Sequence, residues 1–196
     1  STLCNSNRER YKVFYSSMGT LKKDFKYKKV ENFLSQDEID LIRKYCISKH
    51  IRNFDSFDCR QNNNGDTYFY KDPLMQSLLA KKLPLMEKET GLKLFPTYSF
   101  FRLYTLLSDL KKHSDRPSCE VSVTVMLGSD GTQWPIYMDG KPVDLNPGDA
   151  CIYLGCELEH WREPFEGDWH LQTFLHYVDQ NGPHTAYKYD GEVELV

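Results

Sequence analysis

No stretch of the 196-residue chain is apolar for long enough to cross a bilayer, which takes about 20 consecutive apolar residues as a helix. No basic start followed by an apolar run marks a leader, so a cytoplasmic location is the expectation. Charge of one sign is scarce too: 25 Lys+Arg against 28 Asp+Glu leave a formal net charge of -3. That balance offers no footprint for nucleic acid or a membrane surface, and neither partner is expected. No internal repeat and no low-complexity linker divides the chain, which argues against a solenoid or tethered modules. The six cysteines (Cys4, Cys46, Cys59, Cys119, Cys151 and Cys156) include no CxxC pair of the zinc type. They are few for a disulfide scaffold and read as reduced, packed thiols.

What is present is an ordinary globular composition, 40% hydrophobic and 27% charged, on a chain long enough for one substantial core. Residues 1–26 are polar, basic and irregular and read as an arm or added edge strand; residues 27–196 read as a single domain. Val30 to Leu34 reads as a short strand. Ser35 then caps a helix, with Glu38 completing a capping box, and Ile39, Ile42 and Cys46 fall on one helical face. Asp55 to Asp66 is loop-like. Its Gln61–Gly65 portion and the following "TYFY" form either a lid over an opening or an ordinary surface loop. Asp72-Pro73 opens a second helix that Pro84 kinks or splits and that ends near Gly91. From Phe95 onward, short alternating runs separated by turn signals predict a sandwich, barrel or jelly roll, with the helices packed outside a β core.

One stretch carries chemistry. In "LKKHSDRPSCEVSVTVMLG", Val121, Val123, Val125 and Leu127 alternate with Ser122, Thr124 and Met126, the period of a half-buried strand. Just before it stand His113 and Asp115, two apart, so an extended chain points both to one side. His160 follows about 45 residues later in "LEHWRE", with Arg162 two residues beyond it. Two histidines and a carboxylate make up a facial triad that leaves open positions on a non-haem Fe(II). An HxD pair by itself is a weak signal, usually a surface histidine near a solvated acid. The later histidine and the neighbouring arginine strengthen it. Arg162 has its own bland reading, a rim salt bridge with Glu159 or Glu163.

These residues resemble the 2-oxoglutarate and Fe(II)-dependent dioxygenases, in particular the prolyl 4-hydroxylase-like branch, over about Val30 to Val178. "VENFLSQDEIDLI" looks like the strand and helix that open many of that branch's catalytic domains. "RLYTLLSDLKKHSD" places Tyr104 nine positions before the metal histidine, as in the family. "LNPGDACIYLG" is similar to the turn and strand that precede the distal histidine, and "HWREPFEG" to the segment that carries it. The resemblance implies a mainly β fold, a double-stranded β-helix (jelly roll) with N-terminal flanking helices. It implies His113, Asp115 and His160 as Fe(II) ligands, with 2-oxoglutarate and O2 as co-substrates. It also implies release of succinate and CO2 coupled to hydroxylation of a peptidyl or free amino acid, with proline as first candidate, or of a related small molecule.

The sequence departs from the family at one place. The cation that usually binds the far carboxylate of 2-oxoglutarate, about ten residues after the distal histidine, is replaced by His170 in "GDWHLQTF". Arg162, with a planar fork suited to a carboxylate, is the favoured anchor, supported by Tyr104. His170 or Gln172, binding by hydrogen bonds, is the alternative. Arg116 is a candidate for a substrate carboxylate, or else a partner for Glu120. Trp134 is a candidate lining residue of the substrate mouth, and His176 reads as a satisfied core histidine. Two other functions stay open: a non-catalytic jelly roll that binds a metal or ligand, and a cupin-like metalloenzyme that does not use 2-oxoglutarate. The oligomeric state is not legible.

Overall fold

The computed structural model describes residues 26–54 and 65–191. The expected N-terminal arm but for Lys26, and residues 55–64 of the Asn-rich loop with the 61–64 part of the candidate lid, lie outside the described residues, whereas the "TYFY" part of that lid is a strand paired within the sheet. The first strand, β1 (Tyr27–Val30), sits three residues before the expected one. The chain turns straight after it, with Asn32 at φ 52, a left-handed conformation that asparagine tolerates. Phe33 and Leu34 are therefore buried by a turn and not by a strand.

Helix α1 (Gln36–Asn53) starts as its sequence dictates. The Glu38 amide donates to Ser35 Oγ at 3.2 Å, and the Ser35 amide donates to Glu38 Oε1 at 2.9 Å, a cap worth about 1 kcal/mol. After strand β2 (Thr67–Tyr70), Asp72 accepts from the amides of Leu74 and Met75 and caps α2 (Pro73–Lys81). Pro84 splits the helical stretch: α3 (Leu83–Thr90) begins with it in the first turn, where its missing N–H does no harm. Gly91, at φ 73, closes α3 in the left-handed geometry that glycine adopts without strain.

The rest is β structure: β3 (Leu94–Thr105), β4 (Leu110–His113), β5 (Val121–Ser129), β6 (Ile136–Met138), β7 (Lys141–Val143), β8 (Ala150–Tyr153), β9 (His160–Arg162) and β10 (Trp169–Asp179). A 3-10 turn at Pro117–Cys119 precedes β5, and a bent 3-10 segment, Thr185–Gly191, follows β10. The strands form a 6-stranded sheet in the order β1-β8-β5-β10-β3-β2 and a 4-stranded sheet in the order β4-β9-β6-β7. Every pairing is antiparallel. This is the jelly roll expected, with three helices among the described residues on its outer side.

Strand β5 corrects one expectation. It is not half-buried: all but its last residue are buried. Its alternation sorts two buried faces. Val121, Val123, Val125 and Leu127 join Ile39, Ile42, Met75 and Leu79 in the core between sheet and helices. Ser122, Thr124 and Met126 face the interior of the roll, on the same side as His170, Gln172, Phe174 and His176 of β10. Apolar residues therefore hold the outer face, and polar residues are reserved for the cavity side. The four described cysteines, Cys46, Cys119, Cys151 and Cys156, are all free.

Glu120, at the foot of β5, is buried with Oε1 unpartnered and Oε2 accepting from the Asp179 amide at 3.3 Å. Burial, with help from the nearby Asp179 and Glu157 charges, pushes its carboxyl up to about 8. Because the folded-state value lies above the unfolded one, Glu120 contributes stability that is complete below about pH 4.5 and is lost as pH rises through 8. Thermal unfolding of Glu120→Gln against wild type should show the variant gaining a few degrees between about pH 5 and 8.5. A difference that does not change with pH would refute the buried neutral carboxyl.

Candidate metal centre

Strands β4 and β9 pair so that His113 stands opposite His160. Their rings approach to 4.3 Å between centroids. Asp115 lies just beyond the end of β4. Its amide donates to the Gly155 carbonyl at 2.8 Å, and the Gly155 amide donates to the Glu120 carbonyl at 3.1 Å. The approach leaves no room for a side chain at 155: a Cβ there would lie 2.3 Å from the Cys119 carbonyl oxygen and 2.6 Å from Asp115 Oδ2.

The hydrogen bonds fix the chemistry of this cluster. His113 Nδ1 lies 2.6 Å from the Lys111 carbonyl oxygen and His160 Nδ1 lies 3.0 Å from that of Leu158. A carbonyl only accepts, so both Nδ1 atoms carry a proton, and each ring in its neutral form presents a lone pair at Nε2. Those two Nε2 atoms point at one oxygen, Asp115 Oδ1, at 3.2 and 3.3 Å. Three electron-pair donors thus converge within 4.8 Å of one another. The electrostatics agree. Against the desolvation of burial, His113 and His160, where Nε2 is protonated instead, donate to Asp115 and hold its carboxyl far below its usual range; a metal ion takes the place of those protons. The Asp115 hydrogen bond raises His113 in turn. Such a set calls for a cation, and two imidazoles with one carboxylate suit a divalent first-row metal.

Arg162 stands two residues past His160 on the same face of β9 and is only 3% exposed. Its Nη1 donates to the Trp134 carbonyl at 2.7 Å, its Nε is buried without a partner, and its guanidinium lies 4.7 Å from the Trp134 ring centre. The rim salt bridge does not form. Glu159 pairs with Lys112 instead, and Glu163 accepts from the Trp161 indole. Burial draws Arg162 down to about 10, so it stays charged at neutral pH, and no described carboxylate forms an ion pair with it.

Tyr104 and His170 are cross-strand partners beside it, packed with Trp134 and Phe165. Gln172 donates its amide to Thr124 Oγ1 at 2.7 Å, so its oxygen accepts from His170 Nε2 at 2.8 Å. His170 is then left with a lone pair on a buried, unpartnered Nδ1. Burial first, and then Arg162, push it down to about 3. His170 is therefore a neutral acceptor in this chamber. Trp134, read from sequence as a candidate lining residue of the substrate mouth, packs against Arg162 and donates its indole N–H to the Glu163 carbonyl at 2.8 Å.

On the other side of the metal cluster the interior face carries two aromatic rows. Tyr70, Tyr98 and His176 form one, with centroids 4.9 and 4.5 Å apart. Tyr68, Phe100 and Phe174 form the other, at 5.6 and 5.8 Å. His176 is hydrogen-bonded to Ser122 Oγ at 2.7 Å, the satisfied histidine expected of it. Arg116 stacks 4.6 Å over the Tyr98 ring, and its acidic neighbour is Asp190, not Glu120. Four features escaped the sequence reading: Gly155, Tyr98, Asp190 and the buried pair Arg102–Asp66, whose Nε to Oδ2 distance is 2.9 Å. An arginine inside the apolar run "TYSFFRLY" was the signal for the last of these.

No protein-family model matches the chain, and no curated protein matches it. Solved structures do. A Pseudomonas putida prolyl-4-hydroxylase is 20% identical with a TM-score of 0.60, over 87% of this chain and 98% of that one. A viral collagen prolyl hydroxylase from Paramecium Bursaria Chlorella virus-1, in complex with 2OG, is 15% identical with a TM-score of 0.60, over 78% of this chain and 95% of that one. HygX from Streptomyces hygroscopicus, with nickel and 2-oxoglutarate bound, is 12% identical with a TM-score of 0.62, over 89% and 88%. The chain has the double-stranded β-helix fold of these structures.

Proposed function

We propose that the protein is an Fe(II)- and 2-oxoglutarate-dependent dioxygenase that hydroxylates an unactivated C–H of a peptidyl or free amino acid or a related small molecule. One observation carries this reading. One ligand of a three-donor metal cluster, His160, and a buried guanidinium that has no counter-ion among the described residues share one short strand, two residues apart. A dicarboxylate that chelates the metal at one end satisfies both needs at once. The similar structures with 2-oxoglutarate bound support it, and the prolyl hydroxylases among them support an amino-acid substrate with proline as first candidate.

When bound, iron and 2-oxoglutarate supply the activation of O2 and the release of succinate and CO2. The chain's residues do the rest. His113, Asp115 and His160 hold the metal, with both imidazoles oriented by backbone carbonyls. Arg162 receives the far carboxylate. Burial strengthens that charge-assisted contact, and the site's neutral His170 leaves the role to Arg162. Tyr104, whose ring packs on Trp134 and His170 and which acts electrostatically on Arg162, is the supporting hydrogen-bond donor of this reading. The surrounding rings of Trp134 and Phe165 exclude water.

Anaerobic titration with Fe(II) and then 2-oxoglutarate tests the reading through the visible band that a chelated 2-oxo acid produces. Wild type should show the band. Arg162→Gln should bind iron normally but need on the order of 100-fold more 2-oxoglutarate, the loss of a buried charged hydrogen bond. His170→Ala should shift the requirement by less than about tenfold. Absence of the band in iron-loaded wild type would rule the dioxygenase out and leave the binding module or the cupin-like enzyme.

A second expectation concerns Gly155. Replacing it by Ala pushes Asp115 from its place, so calorimetry with Fe(II) alone should show metal affinity falling by about 10- to 100-fold. Unchanged affinity would mean that Asp115 does not depend on this contact.

A further inference from the structure

Beside the metal cluster, and across it from Arg162, one cation holds a poor partner. The Arg116 guanidinium is half-exposed and lies flat on Tyr98. It follows directly on the ligand Asp115, and His176, on the same interior face, feels the charges of Asp115, Arg116 and His160 together. The acid that faces Arg116 is Asp190, which approaches with one oxygen to one nitrogen at 3.8 Å. A guanidinium fork normally takes a carboxylate with two short, parallel hydrogen bonds. Here the fork holds no carboxylate that way: beside the one long contact to Asp190, its partners are the neutral Tyr98 and Tyr70 hydroxyls.

Asp190 has other attachments. Its Oδ2 accepts from the Tyr70 hydroxyl and lies 3.5 Å from Lys71 Nζ, which also donates to its backbone carbonyl at 3.1 Å. It comes from the bent end of the chain, where Tyr189 and Asp190 both adopt left-handed backbone conformations, φ 55 and 45. Losing Arg116 would leave Asp190 with Tyr70 and Lys71, so the exchange strands no charge. Next to Arg116 lies the Tyr98 ring, and two positions along the same face of β3 Phe100 begins the row it forms with Phe174 and Tyr68, an apolar bed.

We infer that Arg116 is the receptor for the carboxylate of the second substrate, a small free carboxylic acid with an apolar body, and that Asp190 holds its place until that acid arrives. The inference rests on the dioxygenase reading only for what happens after binding; the receptor itself needs no metal. The geometry narrows the substrate: an internal peptide residue lacks the backbone carboxylate that this fork fits.

The test uses the metal-free full chain, so it stands apart from the visible-band experiment. Propionate, with propionamide as its neutral counterpart, is titrated at constant ionic strength and followed by ligand-detected NMR. The quantity compared is the binding that Arg116→Gln abolishes, which sets aside any binding at Arg162. Asp190→Asn, which removes the competing charge, should strengthen that binding at least tenfold over wild type, and propionamide should show none. Tyr70→Phe, which keeps the charge but removes a hydroxyl that partners both Asp190 and Arg116, should strengthen it a few-fold and serves where Asp190→Asn folds poorly. Propionate binding that survives Arg116→Gln in full, or that is equal in wild type and both other variants, would overturn the inference.

Discussion

One strand pairing governs the functional end of the molecule, that of β4 against β9, which shifts by one residue between Leu110 and His113. It sets His113 opposite His160 and Leu110 opposite Arg162. Side chains alternate along a strand, so a slip of one residue would turn His160 and Arg162 outward and bring Trp161 into the roll. Metal ligand and buried cation therefore stand or fall together. The register has support on both sides. β9 also pairs with β6, where Met138 faces His160, and Asp115 is tied to Gly155 at the end of β8. A strand of three residues could not hold this alignment alone.

The interior shows two ways of keeping a guanidinium out of water. Arg102 carries its counter-ion with it: Asp66 is fully buried beside it, and the pair is neutral within the protein. Among the described residues, Arg162 has a carbonyl, an aromatic face and a neutral histidine but no counter-ion. Burying an ion costs several kcal/mol unless a partner offsets it, so the second arrangement holds unbalanced charge in reserve. The helices packed outside the sheet supply the apolar burial that makes this tolerable. The division of labour follows the strand period: one face of each central strand stabilises, and the other binds.

Much of this was legible in the sequence because it is local. Ser35 and Glu38 are three residues apart, Asp72 and Pro73 are adjacent, and Pro84 breaks a helix wherever it stands, so the helix starts and the split follow from short-range chemistry. The same holds for His113 with Asp115 and for His160 with Arg162, whose two-residue spacing fixes a common face. What escaped is long-range. Asp190 meets Tyr70 across 120 positions, and Arg102 meets Asp66 across 36. No periodicity encodes such pairings. Gly155 looks like any turn glycine until the Asp115 carboxylate is placed against it. The burial of both faces of β5 was hidden because serine and threonine facing a polar cavity read like serine and threonine facing solvent.

The backbone clamps on the two imidazoles have a bearing on which ions the centre accommodates. Each ring is tied at Nδ1 to the carbonyl two residues before it, within its own segment, so neither can swivel without breaking a bond to its own main chain. Asp115 is different: one oxygen faces the histidines, while the other, Oδ2, is buried and uncommitted. A change in ionic radius or coordination number must then be absorbed by rotation of that single carboxyl group. The centre behaves as a fixed jaw of two rings with one moving jaw, and its tolerance for different metals is set by the torsional freedom of one aspartate.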